Sequence, residues 1–136
     1  MAMKLIQIPG VANHHQTVWQ VRVLEINGRD LVLPTLAEWS KSSPSDHKKI
    51  MKVLCMVGQV DRIRDPKKVK KSKNHENIYE IRADKGSARL MFFYCDGTQS
   101  AVICTNTYWK TKSSAREQNQ AFERCASLKK FYETHP

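Results

Sequence analysis

The sequence predicts an α+β fold in which an antiparallel sheet carries a helical hairpin and a terminal helix. Three observations lead there. Residues 77–106, NIYEIRADKGSARLMFFYCDGTQSAVICTN, read as three strands separated by two turn signals. Ahead of them, Ile50, Val53, Leu54 and Val57 recur at three- and four-residue steps, the spacing of one helix face. After them, Ala121, Phe122, Cys125, Leu128 and Phe131 repeat that spacing. A chain of 136 residues with 40% hydrophobic content is long enough for one compact domain, and a single domain is expected.

The elements follow in order. Residues 1–16 begin with a short apolar run broken by Pro9, too brief for a secretory signal, and are read as an extension of unknown role. His14 and His15 in it have no acidic or sulfur neighbours and are assigned to a loop. TVWQVRVLEI, 17–26, alternates as a strand and meets the turn signal NGRD. Pro34 suits the first turn of a short helix through Leu36 and Trp39, closed by SKSSP. Ser45 or Asp46 is placed to cap the longer helix, whose apolar stripe runs to Val60, with Gly58 weakening its last turn. DRIRDPKKVKKSKNHEN, 61–77, is polar and lysine-rich and is expected to be a mobile loop.

Pairing Ala83 with Ala88 across DKGS sets Tyr79, Ile81, Ala83, Ala88, Leu90, Phe92 and Tyr94 on one core face. The other face then carries Glu80, Arg82, Arg89, Met91 and Phe93, with Arg82 directly across from Arg89. A tight Asp-Gly turn at CDGT would add Val102 and Cys104 to that charged face. Ser114 and Glu117 form a capping box for the last helix.

Like charges directly opposed across a ladder repel. Either Glu80 bridges the two guanidinium groups, or a bound phosphate does, since two planar forks from adjacent strands suit a tetrahedral oxyanion. The net charge of +10 favours a polyanionic partner, and from Asp61 to Arg89 ten Lys or Arg stand against five Asp or Glu. That stretch holds Lys67, Lys68, Lys70, Lys71 and Lys73, the expected nucleic-acid contacts. Tyr108, Trp109, Lys110 and Lys112 make a second aromatic and basic segment, in which rings can stack on bases and lysines meet phosphates; alternatively Trp109 packs and the lysines are solvated. Four scattered cysteines without CxxC spacing argue against zinc and for reduced thiols, and no apolar stretch is long enough for a bilayer. A cytoplasmic protein with neither metal nor cofactor is expected.

The segment IYEIRADKGSARLMFFYCDGTQSAVICTNTYWKTKSSAREQNQAFERC resembles the RelE/ParE superfamily of bacterial toxins, above all its HigB-type and phage-derived branch. Tyr79-Glu80-Ile81-Arg82 matches that branch's aromatic-Glu-aliphatic-Arg strand, and Arg89 to Tyr94 matches its arginine-led apolar strand. An acidic-glycine turn, a strand, a basic loop and an amphipathic helix follow in the same order. The likeness covers residues 60–132 well; upstream the order agrees and the sequence only weakly, and 1–16 have no counterpart.

The resemblance implies a RelE-like fold and a bacterial or phage-encoded toxin of a type II toxin–antitoxin pair. Such a toxin is an mRNA interferase, an endoribonuclease that works without metal, typically on the ribosome, and so inhibits translation. Its partner would be an antitoxin, a small helix-turn-helix DNA-binding protein. Arg89 matches the phosphate-binding arginine, Arg82 a basic position beside it, and Lys110 and Lys112 basic positions after the last central strand. Where ribosome-dependent relatives carry a lysine this chain has Glu80, so the proton acceptor is Glu80, His75, or no strong base at all. A ParE-like topoisomerase (gyrase) inhibitor and a non-enzymatic nucleic-acid-binding module are the alternatives. Arg89→Ala is expected to separate them by abolishing cleavage while the fold persists.

Overall fold

The computed structural model describes residues 2–11, 17–97, 100–112 and 115–135. Its secondary structure is α+β: six strands in one mixed sheet and three helices. The strands are β1 (Met3–Gln7), β2 (Gln20–Ile26), β3 (Val69–Lys71), β4 (Tyr79–Arg82), β5 (Ala88–Cys95) and β6 (Ala101–Trp109). They lie in the order β1-β2-β6-β5-β4-β3. The helices are α1 (Leu33–Ser42), α2 (Pro44–Val57) and α3 (Ala115–Thr134).

The sheet is not wholly antiparallel as the sequence suggested, because β2 and β6 run parallel from Gln20↔Ala101 to Val23↔Cys104. β6 returns to the middle of the sheet after the hairpin α1–α2 and the meander β3–β4–β5, which gives the long connection that parallel neighbours require. Residues 1–16 are not a plain extension: Met3–Gln7 form the edge strand against β2, from Met3↔Ile26 to Gln7↔Arg22. The run shows no clean alternation because both faces of the sheet are covered. Leu5 packs on one face and Ile6 on the other. His14 and His15 lie outside the described residues.

The basic stretch is likewise more ordered than expected. Val69, almost fully buried, plugs into the core, and Val69–Lys71 pair with β4 as a short edge strand. Flanking lysines on an exposed edge discourage pairing with other chains.

The hairpin α1–α2 covers one sheet face, where Leu36, Trp39, Ile50, Leu54 and Val57 meet Ile81, Leu90 and Phe92. α2 ends at Val57, leaving Val60 exposed. Gly58 does more than weaken that end: its carbonyl accepts hydrogen bonds from the backbone N–H of Val18 and Trp19, and a Cβ there would lie 3.0 Å from the Trp19 oxygen. α3 covers the opposite face through Ala121, Phe122 and Cys125, joined by Leu128 and Tyr132; Phe131 instead stacks on His135. The capping Ser114 is outside the described residues.

Neither Ser45 nor Asp46 caps α2. Ser43 stands at the N-cap without a side-chain hydrogen bond, and the Asp46 carboxylate reaches across to accept from the backbone N–H of Ser87 at 2.7 Å and Ala88 at 2.9 Å. Two N–H donors of the turn thus share one carboxylate oxygen, which pins the turn to the helix start.

Candidate functional site

The predicted register of β4 and β5 is the one adopted. Arg82 and Arg89 are Cα partners, and the Ala83 N–H donates to the Ala88 carbonyl at 3.1 Å. Tyr79, Ile81, Ala83, Ala88, Leu90, Phe92 and Tyr94 share the hairpin-facing side as expected. Val102 and Cys104 do not join the charged face; they lie on this opposite side. The reason is parity. A two-residue Asp-Gly turn would pair Cys95 with Thr98, but Cys95 pairs with Ala101, and a shift by an odd number of residues flips every side chain of β6.

A bulge then intervenes. Phe92 pairs with Cys104 but Met91 pairs with Asn106, so Thr105 is the extra residue and Tyr108, rather than Thr107, comes opposite Arg89. One row across three strands therefore reads Arg82, Arg89, Tyr108.

The two guanidinium groups avoid each other by taking different directions. Arg89 is buried, and its Nη1 donates into the β4–β5 turn, to the carbonyls of Ala88 at 2.9 Å, Gly86 at 3.1 Å and Ala83 at 3.4 Å. Its Nε lies 3.5 Å from Glu80 Oε1 without a hydrogen bond. Burial pulls the Arg89 guanidinium below its ordinary pKa; the Glu80 charge opposes this and the Arg82 charge adds to it. Arg82 is half-buried and donates through Nη1 to the Pro66 carbonyl at 3.2 Å.

Glu80, one of the proton acceptors the sequence left open, is shut away from solvent. It is 0% exposed, accepts from the Tyr108 hydroxyl at 2.5 Å on Oε1 and from Gln118 Nε2 at 3.0 Å on Oε2, and faces Arg89 alone of the two arginines. It bridges no pair of guanidinium groups and has no route to a solvent-borne substrate. Its work is positional: it holds the row in place. Burial, then the hydrogen bond to Glu80, raises the pKa of Tyr108 far above the ordinary phenol value, so its hydroxyl stays protonated and donating.

At the solvent side of this row lies a cleft of about 390 Å³ whose walls include Lys67, Arg82, Lys85, Arg89, Lys110 and Asp84. Five cations and one carboxylate make it strongly anion-attracting. Lys110 is anchored there through its backbone N–H, which donates to the Ser87 carbonyl at 2.8 Å.

No protein-family model and no curated protein sequence matches the chain.

The remaining predicted site residues are dispersed. Lys68 pairs with Asp65 at 3.0 Å. Lys70 and Lys71 line a different cleft on the β3 edge, Lys73 is exposed in the β3–β4 connection, and Lys112 is exposed beyond β6. His75 sits beside Lys129, Lys130 and Glu133 of α3, not in the cationic cleft, so it is no base for chemistry there. Trp109 is 43% exposed and tilts against buried Trp39 with ring centroids 6.1 Å apart, so it both packs and presents a face to solvent.

Three residues of the arrangement were missed. Gln118 had a visible signal, being a polar residue in step with the apolar stripe of Ala121, Phe122 and Cys125. Asp46 had none, since its partners are 41 and 42 residues away. Lys85 was hidden in a turn; it takes a left-handed φ of 63° there.

Proposed function

We propose that the cationic cleft binds an RNA phosphate and that the chain is a toxin of the RelE/ParE kind, HigB-like in branch and RelE-like in fold, which cleaves mRNA and so inhibits translation. The observation that carries this reading is the convergence of Arg82, Arg89, Lys67, Lys85 and Lys110 on one cleft at the foot of the three-strand row. In the reaction the ribose 2′-oxygen attacks the adjacent phosphorus and the bond to the 5′-oxygen breaks, leaving a 2′,3′-cyclic phosphate and a 5′-hydroxyl end. The phosphoryl oxygens gain negative charge on the way, and fixed cations stabilise that charge most when they are oriented beforehand. Arg89 is so oriented by three carbonyls and the Glu80 charge, while Arg82 and Lys110 supply accessible charge. With Glu80 buried and His75 elsewhere, catalysis rests on charge stabilisation: the 2′-hydroxyl proton leaves to water or to a ribosomal group, and the departing 5′-oxygen takes up a proton from the same source.

The same chemistry suits an acidic segment of an antitoxin, which would occupy the cleft and silence it. Ribosome and mRNA are the partners of the free toxin. Among the described residues no helix is long and apolar enough to cross a membrane.

A non-enzymatic nucleic-acid-binding role is the second reading, favoured by the complete burial of Glu80, which leaves the cleft without a strong base. Arg82→Ala and Lys110→Ala tell the two apart. In an endoribonuclease both changes suppress mRNA cleavage and growth arrest together while the folded chain persists; if arrest survives without cleavage, the enzymatic reading is wrong. Arrest accompanied by topoisomerase inhibition would establish the ParE-like activity instead. Arg89→Ala is a poorer probe than the sequence suggested, because it removes a buried cation from beside Glu80.

A further inference from the structure

A second cleft, of about 510 Å³, opens on the β3 edge. Its walls include Arg62, Arg64, Lys70, Lys71 and Tyr79, and it shares Pro66 with the cationic cleft described above. We propose that this second cleft is a subsite for the flanking nucleotides of a single-stranded RNA, which passes from the first cleft over Pro66 and around the sheet edge. The inference rests on the RNA reading of the first cleft and adds a strand path to it.

Charge and shape both favour a polynucleotide here. Four of the lining residues are cationic and none of the lining residues is acidic. Among the described residues Arg64, Lys70 and Lys71 form no ion pair, so their charge is available to a ligand. Arg62 is already partnered and serves to hold the cleft wall: its Nη1 pairs with the Asp61 carboxylate at 3.4 Å and donates to the Asp61 carbonyl at 2.8 Å, and its guanidinium lies 3.9 Å from the centre of the Tyr94 ring and 5.1 Å from that of Trp19.

Tyr79 supplies the aromatic surface. Its ring stacks on Phe92 with centroids 5.3 Å apart and planes inclined by 17°, is half-buried, and forms part of the cleft wall. A rigid ring among unpaired cations is the combination by which single strands are held, the base stacking while the backbone is neutralised. A duplex keeps its bases stacked on each other and gains nothing from the ring.

The test is binding of non-cleavable 2′-O-methyl RNA to the full chain, measured by fluorescence anisotropy across a salt series. A trimer reports the first cleft and a dodecamer reports both. The expected result is tighter binding of the dodecamer, lost by about tenfold or more in the Arg64→Gln/Lys71→Gln double variant, with trimer binding unchanged. The log-log salt slope for the dodecamer should flatten by about 1.4, the effect of two single-strand phosphate contacts. Tyr79→Leu should weaken the dodecamer by about tenfold and leave a blunt duplex unaffected. If the trimer binds but the double variant holds the dodecamer as the wild type does, the second subsite is wrong and the first cleft stands. If the double variant loses only a protein partner, the second cleft is a protein site. If wild-type protein binds neither oligonucleotide, the RNA reading itself falls and takes the subsite with it.

Discussion

Glu80 Oε1 stands 3.5 Å from Arg89 Nε, yet the hydrogen bond it accepts comes from Tyr108. The pair is thus held by charge, and the carboxylate's directional bonds go to Tyr108 and Gln118. Removing one partner of a buried ion pair leaves the other charge uncompensated, which costs far more than the pair contributes. Glu80→Ala should therefore lower unfolding free energy by about 3–5 kcal/mol in urea titration. A loss below about 1 kcal/mol, the size expected of an exposed pair, would show that Glu80 is not buried against Arg89.

Arg82 and Arg89 are register partners with opposite expected phenotypes. Arg82 is partly exposed and bonded to one carbonyl, so Arg82→Ala should change stability by about 0.5 kcal/mol or less while abolishing RNA binding in the cleft. Arg89→Ala should cost about 3–5 kcal/mol, for the same reason as the Glu80 change. Equal destabilisation by the two would contradict this division of roles.

The β4–β5 turn hangs on Asp46. Asp46→Ala strips the acceptor from the N–H groups of Ser87 and Ala88, and hydrogen bonds to a charged acceptor contribute about 1.5–3 kcal/mol each. Gly86→Ala attacks the same point from the other side, since its Cβ would lie 2.5 Å from Asp46 Oδ1. Both variants should show faster amide exchange in the turn. If Gly86→Ala keeps wild-type exchange there, the carboxylate is not fixed where we describe it.

Two phenols make alkaline stability informative. Burial pushes Tyr94 up to about 12 from an ordinary 10.0, and raises Tyr108 further with help from Glu80. A raised folded-state value means that the native chain keeps its proton where the unfolded chain loses it, so the contribution is complete below about pH 10 and declines as pH rises toward 12 and beyond. Wild type should lose stability over that window, and Tyr108→Phe should lose less of it. Parallel slopes for wild type and variant would mean that Tyr108 titrates as a free phenol.

Periodicity within single elements needed only the sequence. The alternation of β4 and β5, the Arg82–Arg89 opposition and the stripes of α2 and α3 follow from side-chain directions that repeat every two or every 3.6 residues. What depended on irregularity was not legible. The five-residue connection after Cys95 and the extra residue at Thr105 turn β6 over and bring Tyr108 to Arg89. Neither leaves a local signature, because each is selected by how β6 packs between β2, β5 and α3. The same holds for Asp46 and for β1, whose partners are distant in sequence and whose two-sided burial erases alternation. The residues alone determined which charges would face each other; the tertiary structure decided which of them is buried against Glu80 and which stays open to a ligand, because burial is set by the α3 and β6 side chains that close over the row.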